Sequence, residues 1–157
     1  MSKADDKLIL LDRDGVINED SDAHIKAPAE WKPLPGSLEA IARLTRAGWQ
    51  VWVVTNQSGV GRGYFTEDDL AAIHDRMQTE VLKAGGQIAG IEYCPHRPDD
   101  GCACRKPRTA LLLNIEEALG RDLQGVPFVG DSRRDLECAR DRGCEPVLVR
   151  TGKGERT

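Results

Sequence analysis

Cys94, His96, Cys102 and Cys104 fall within the stretch CPHRPDDGCACRKP, where three thiolates and one imidazole make a tetrahedral donor set suited to Zn2+. The spacing C-x-H-x5-C-x-C is tighter than that of an ordinary zinc finger. A redox pair would need C-x-x-C, which the chain lacks. Four protein ligands close a zinc site, so the loop reads as structural: the metal folds a segment with no core of its own and delivers Arg105 and Lys106 behind it. Carboxylates form a second set, Asp12 and Asp14 in LLDRDGVIN and Asp131 and Asp135 in VGDSRRD. Each motif alone has a plain reading. DRDG reads as a turn whose aspartates bond local backbone groups, TNQSGVGRG as a flexible loop, and GDSRRD as a strand-to-helix cap. A calcium loop fits DRDG poorly, because the D-x-D-x-D-G repeat and its distal glutamate are missing.

The elements that carry these motifs place them together. Lys7 to Leu11 is an apolar run of strand length ending at Asp12, and a polar, proline-bearing loop follows from Asn18 to Gly36. Ser37 reads as the N-cap of a helix stopped by Gly48, and Trp49 to Thr55 as a second buried strand. Thr66, with Asp69 three residues on, starts a helix that runs to Gly85. Ile88 to Tyr93, Val126 to Gly130 and Pro146 to Val149 are further strands, alternating with helices over Ala110 to Leu119 and Arg133 to Arg142. Strands alternating with helices predict an α/β fold: a doubly wound, Rossmann-like, mostly parallel sheet with helices on both faces. Such sheets bind ligands at the carboxyl ends of their strands. Those ends carry Asp12 and Asp14, then Thr55 and Asn56, then the cysteine loop, then Asp131 and Asp135. The convergence specifies a site for a metal and a phosphate.

At 157 residues the chain is about one domain long, expected to span 1–157 with the zinc loop 94–104 inserted after the third strand. A net charge of -4 and no basic stripe argue against a nucleic-acid partner. The longest apolar runs, such as Val51 to Val54, are too short to span a membrane, and MSKADDK lacks the apolar core of a secretory leader. Five cysteines do not pair evenly. With three of them in the metal loop, Cys138 and Cys144 are expected as small core residues of a cytoplasmic protein.

LLDRDGVIN, VVTNQSG, RKP and VGDSRRD, in that order, resemble the four motifs of haloacid-dehalogenase-like phosphatases over nearly the whole chain. NEDSDAHIKAPAEW, TNQSGVGRGYFTE and CPHRPDDGCACRKP are similar to the capless, zinc-loop branch that takes the 7-phosphate from D-glycero-D-manno-heptose 1,7-bisphosphate, on the way to ADP-heptose and lipopolysaccharide core. The resemblance implies that Asp12 is the nucleophile, forming an aspartyl-phosphate, and that Asp14 is general acid and base with a carboxyl raised by its neighbours. It implies Thr55 and Lys106 on the phosphoryl oxygens. It further implies Mg2+ on Asp12, the backbone carbonyl of Asp14, and Asp131, with structural Zn2+ on the Cys94, His96, Cys102 and Cys104 set. Arg105 is placed on the second phosphate. A sugar-contacting loop is implied over Asn18, Asp20, Ser21, Asp22 and Ala23, with Asn56, Gln57 and Ser58 completing the substrate contacts. Asp135 is expected either to orient Lys106 and the metal shell or to sit exposed near a helix start. His24 and His74 have no partner in the pattern, and His74 reads as structural or solvated.

Neither gap between motifs, Asp12 to Thr55 or Thr55 to Lys106, can hold a folded lid, since small domains need roughly 40 residues of their own. Short loops must then exclude water, which favours hydrolysis over mutase chemistry. The expected partner is a small sugar phosphate, with no nucleic acid, no membrane and a monomeric state. Two alternatives stay open. A histidinol-phosphate phosphatase shares the motifs, the zinc ligands and the x5 spacing, although TNQSGVGRG favours the sugar enzyme. A zinc-stabilised binding module with a dead site is opposed by intact Asp12, Asp14, Thr55, Lys106 and Asp131. One departure is RKPRTAL, where relatives read RKPxPGM.

Overall fold

Leu8–Leu11 (β1) sends alternate side chains into two different cores, and this decides the architecture. Leu8 and Leu10 join one cluster with Leu112, Ile115 and Phe128; Leu11 joins another with Ile41, Val53 and Met77. A strand buried on both faces needs helices on both faces. The computed structural model, which describes residues 7–157, supplies them. Ser37–Arg46 (α1) and Glu67–Lys83 (α3) cover one side of the sheet, and Ala110–Leu119 (α4) and Arg133–Asp141 (α5) the other.

The sheet adds Gln50–Asn56 (β2), Gly90–Cys94 (β3), Pro127–Gly130 (β4) and Glu145–Leu148 (β5) in the order β3-β2-β1-β4-β5, every pair parallel. From β1 the chain winds first through β2 to β3, then returns to the other side for β4 and β5. The switch point lies at the carboxyl end of β1, directly after which Asp12 stands. Cys138 and Cys144 are buried in the core, as expected.

Several boundaries differ from the sequence reading. Ser37 is not the N-cap of α1; Gly36 takes that place at φ 83°, while the Ser37 hydroxyl donates to Ile17 O at 2.6 Å and ties the helix to the first loop. The Asn18 to Gly36 segment contains a short 3-10 turn, Pro28–Glu30, which precedes the fully buried Trp31. A four-residue helix, Ser58–Gly61 (α2), lies inside the predicted glycine-rich loop. The third strand starts at Gly90, not Ile88. The Thr66–Asp69 capping box does form, with bonds of 3.1 and 2.9 Å. No helix among the described residues is long and apolar enough to cross a membrane. The stretch expected to lack a leader lies largely outside the described residues.

Candidate active site

Lys106 is the centre of the site. Its ammonium meets Asp12 Oδ1 at 3.0 Å and Asp135 Oδ1 at 2.6 Å and donates to Val54 O at 2.9 Å, and the residue is 3% exposed. Asn56 positions the backbone beneath it, accepting from Lys106 N at 3.0 Å and donating to Lys106 O at 3.3 Å. Burial opposes the charge on Lys106, but the Asp12 and Asp135 carboxylates outweigh it and hold the ammonium above its ordinary range. Asp12, Asp131 and Asp135 place carboxylate oxygens within 4.8 Å of one another, all buried. Burial and the neighbouring carboxylate of Asp135 push the Asp12 carboxyl well up, with Lys106 opposing. Burial also raises Asp131. Three buried carboxylates facing one lysine are an oxygen-rich, over-negative set that suits a divalent cation such as Mg2+.

Asp135 is therefore no exposed helix aspartate. It is 1% exposed, and its second oxygen accepts from Asp131 N at 3.1 Å and from the Ser132 hydroxyl at 3.1 Å, fixing the turn into α5. The main chain is close there: a Cβ on Gly130 would stand 2.2 Å from Asp135 Cβ.

Asp14 stands apart from the metal cluster. Its Oδ1 accepts from Arg13 Nε at 2.9 Å and Asn18 Nδ2 at 2.9 Å, and its Oδ2 from Gln57 Nε2 at 3.2 Å. Burial pushes this carboxyl up, yet the Arg13 guanidinium and the hydrogen bonds from Asn18, Arg13 and Gln57 prevail and hold it below its ordinary value. The expected raised carboxyl is thus reversed, because Asp14 is surrounded by donors rather than by carboxylates. Arg13 is fully buried and also bonds Gln57 Oε1 at 3.2 Å and His74 Nε2 at 3.2 Å. His74 is neither solvated nor unpartnered. Burial and then Arg13 lower its pKa to about 3, so it is a neutral acceptor.

The remaining predicted site residues do not converge on one cavity. Asp20, Thr55 and Asn56 line the same cavity as Asp12, Asp131 and Lys106. Asp22 and Ala23 line a neighbouring cavity with His24 (φ 66°), Arg62 and Tyr64. Gln57 and Ser58 are buried: both ends of the Gln57 amide are engaged, including a 2.9 Å bond to Thr55 Oγ1, and Ser58 Oγ accepts from Arg62 Nε at 3.3 Å. The Ser21 hydroxyl is spent locally on Ala23 N at 3.2 Å. Arg105 is half-buried, and its Nη1 has no hydrogen-bond partner.

Residues outside the sequence reading complete the cavity. Arg134 and Lys153 line it, and Lys153 comes from the loop after β5. The signal lay in the sequence, since the carboxyl end of that strand reads TGKG and strand ends are where such sheets bind ligands.

The cysteine loop begins where β3 ends. Cys94 Sγ lies 3.6 Å from Cys102 Sγ and 3.5 Å from His96 Nδ1, which lies 3.2 Å from Cys104 Sγ. A tetrahedral zinc with bonds of about 2.3 Å to sulfur sets its ligands roughly 3.5–3.8 Å apart. The Cys94–Cys102 and Cys94–His96 separations match this and the His96–Cys104 one is somewhat shorter, so the four side chains make a donor set for zinc, with His96 offering Nδ1.

A doubly wound sheet carrying this carboxylate–lysine cluster at its switch point defines an HAD-like hydrolase, and residues 103–157 match the family model described as "HAD-hyrolase-like". The chain is 57% identical over 151 residues, covering 96% of it and 86% of the relative, to a D-glycero-beta-D-manno-heptose-1,7-bisphosphate 7-phosphatase of Pseudomonas putida. It is 48% identical to one of Neisseria meningitidis, covering 96% and 81%. The crystal structure of D,D-heptose 1,7-bisphosphate phosphatase from B. bronchiseptica, complexed with magnesium and phosphate, superposes with a TM-score of 0.94 at 56% identity, covering 96% of this chain and 84% of that one. The chain belongs to the heptose-bisphosphate phosphatase family of HAD-like enzymes.

Proposed function

We propose that this enzyme removes the 7-phosphate of D-glycero-D-manno-heptose 1,7-bisphosphate, with the β anomer named for its relatives as the expected form, and so serves ADP-heptose and lipopolysaccharide core synthesis. The observation that carries the substrate is the 57% identity, over 96% of the chain, to a relative named for that reaction. The buried cluster of Asp12, Lys106, Asp131 and Asp135 supports the chemistry.

Asp12, Asp131 and the backbone carbonyl of Asp14 hold Mg2+, with Asp135 beside them; the bound ion offsets the negative charge of the cluster and of the phosphate. An Asp12 oxygen attacks phosphorus as the sugar–oxygen bond to phosphorus breaks, giving an aspartyl-phosphate and a sugar hydroxyl. Lys106 and the Thr55 hydroxyl hold the phosphoryl oxygens as their charge redistributes. Asp14 delivers the proton to the leaving oxygen, then takes one from the water that splits the aspartyl-phosphate and frees Asp12 and phosphate. The ionised Asp14 of the resting site suits the second half. In the first half it has to arrive protonated, and an incoming phosphate dianion raises its carboxyl toward that state. The Cys94, His96, Cys102 and Cys104 set would hold Zn2+, which would stiffen the approach to Arg105 and Lys106.

The test is a comparison of the heptose bisphosphate with histidinol phosphate. Arg105, whose buried Nη1 has no hydrogen-bond partner in the protein, would gain a charge-assisted contact only with a second phosphate. Such a contact commonly contributes roughly 1.5–3 kcal/mol, or about one to two decades in kcat/KM. We expect at least about tenfold preference for the bisphosphate, most of it lost in Arg105→Ala, with nitrophenyl phosphate little changed. Better turnover of histidinol phosphate defeats the reading. One 1–157 domain acting as a cytoplasmic monomer completes the proposal, and sedimentation velocity checks the monomer.

A further inference from the structure

Lys153 reaches the catalytic cavity from the loop after β5, and the chemistry above gives it no task. Its two polar ends grip two parts of the site. The peptide N–H donates to Asp131 Oδ2 at 2.9 Å, and Nζ donates to Asp20 Oδ2 at 2.8 Å. The loop itself is firmly seated. Thr151 Oγ1 donates to Gly15 O at 2.6 Å, and the backbone of Gly152 comes so close that a Cβ there would stand 2.3 Å from Asp131 Oδ2 and 2.5 Å from Gly15 Cα. Gly15 (φ 86°) meets the same limit from the other side, at 2.1 Å from Asp131 Oδ2. The position of Lys153 is thus set by main chain on main chain.

The charge at the cavity is unbalanced. Five carboxylates (Asp12, Asp14, Asp20, Asp131 and Asp135) face three cations (Lys106, Arg134 and Lys153). Lys106 is already committed to two of those carboxylates. Lys153 has a single carboxylate partner, Asp20, in the loop expected to touch the sugar, and its side chain is 39% exposed against 17% for Asp20. It therefore lies where the cavity opens to solvent, and the pair bridges the loops after β1 and β5. We propose that Lys153 is a specificity-determining residue: its ammonium, shared with Asp20, binds oxygens of the phosphorylated sugar, while its peptide N–H keeps Asp131 aimed at the metal position. This inference rests on the sugar-phosphate reading of the site.

Lys153→Met removes the ammonium and keeps the N–H. In the zinc- and magnesium-loaded full chain, kcat/KM for the heptose bisphosphate should fall at least about tenfold, mainly through KM, as expected for losing a charged contact. Nitrophenyl phosphate, which lacks the sugar, should keep its kcat/KM to within about twofold. The Mg2+ concentration for half-maximal rate and Tm should stay at wild-type values, and Lys153→Arg should recover much of the sugar-phosphate rate. Equal losses on both substrates, or a loss that tracks a lower Tm or weaker Mg2+ binding, would make Lys153 structural and overturn the inference. If wild type cleaves nitrophenyl phosphate but not the heptose bisphosphate, the substrate reading falls. The same comparison over a panel of sugar mono- and bisphosphates then decides Lys153: selective loss on the sugars that are cleaved keeps it, and a uniform ratio removes it. If no sugar phosphate is cleaved, both fall.

Discussion

Asp12 and Asp14 are two residues apart and live in opposite electrostatic settings. Asp12 sits among carboxylates and is pushed up; Asp14 sits among donors and is held down. Asp12→Asn should abolish turnover while leaving the fold intact, because it removes the nucleophile at constant shape; near-normal turnover would exclude that role. Asp14→Asn should slow sugar phosphates by about 10^2–10^4-fold but nitrophenyl phosphate far less, since a good leaving group needs little acid help. Equal slowing of the two would count against it. His74 offers a test in stability. An unfolded chain binds the His74 proton below about pH 6.5, whereas the folded protein resists it until about 3. The neutral histidine's contribution is therefore complete above about pH 6.5 and is lost as pH falls through that window. At pH 5 the loss amounts to about 2 kcal/mol. His74→Gln keeps a polar group for Arg13 without the titration, so its denaturation midpoint should fall less between pH 7 and pH 5 than that of wild type. Parallel curves would show that His74 does not carry this dependence.

Among the elements, the zinc loop and the β5 loop do similar work from opposite sides of the sheet edge. Each brings a cation to the cavity, Lys106 from the one and Lys153 from the other. The zinc loop has little packing of its own beyond Cys94, Cys102 and Cys104 against the α4–α5 core, so its order should depend on the metal. Cys102→Ser should lower zinc content below one equivalent and Tm by about 10 °C or more, with activity falling alongside, because Lys106 is then delivered by a loose segment. A variant with normal zinc and Tm but no activity would instead give the loop a direct chemical role.

At the scale of the whole molecule, the sheet edge offers two chemically distinct sets of metal ligands: hard carboxylate oxygens at the switch point, and soft thiolates with an imidazole in the loop beyond β3. Mild chelation followed by Mg2+ should restore full activity while zinc stays bound; recovery that needs added zinc would contradict this division. Much of this was legible in the linear chain. Period and punctuation specified the alternating elements, and residue type at successive strand ends specified the carboxylates, Thr55, Lys106 and the zinc ligands, because each motif is local and strand ends must share one edge. Other features required the fold. Arg13 meets His74 across 61 positions, Lys153 meets Asp20 across 133, and Thr151 meets Gly15 across 136. No local pattern encodes such pairs. The first exists because α3 packs on the sheet face beside the end of β1. The other two exist because the fold brings the loops after β1 and β5 against one another, with close main-chain approach at Gly15 and Gly152 around the carboxylate of Asp131. The same packing turned Gln57 inward, where its amide joins Arg13 and Asn18 in holding Asp14 low. The sequence by itself determined which groups the site contains; the tertiary structure decided which of them face each other, since charge and hydrogen bonding act through space and not along the chain.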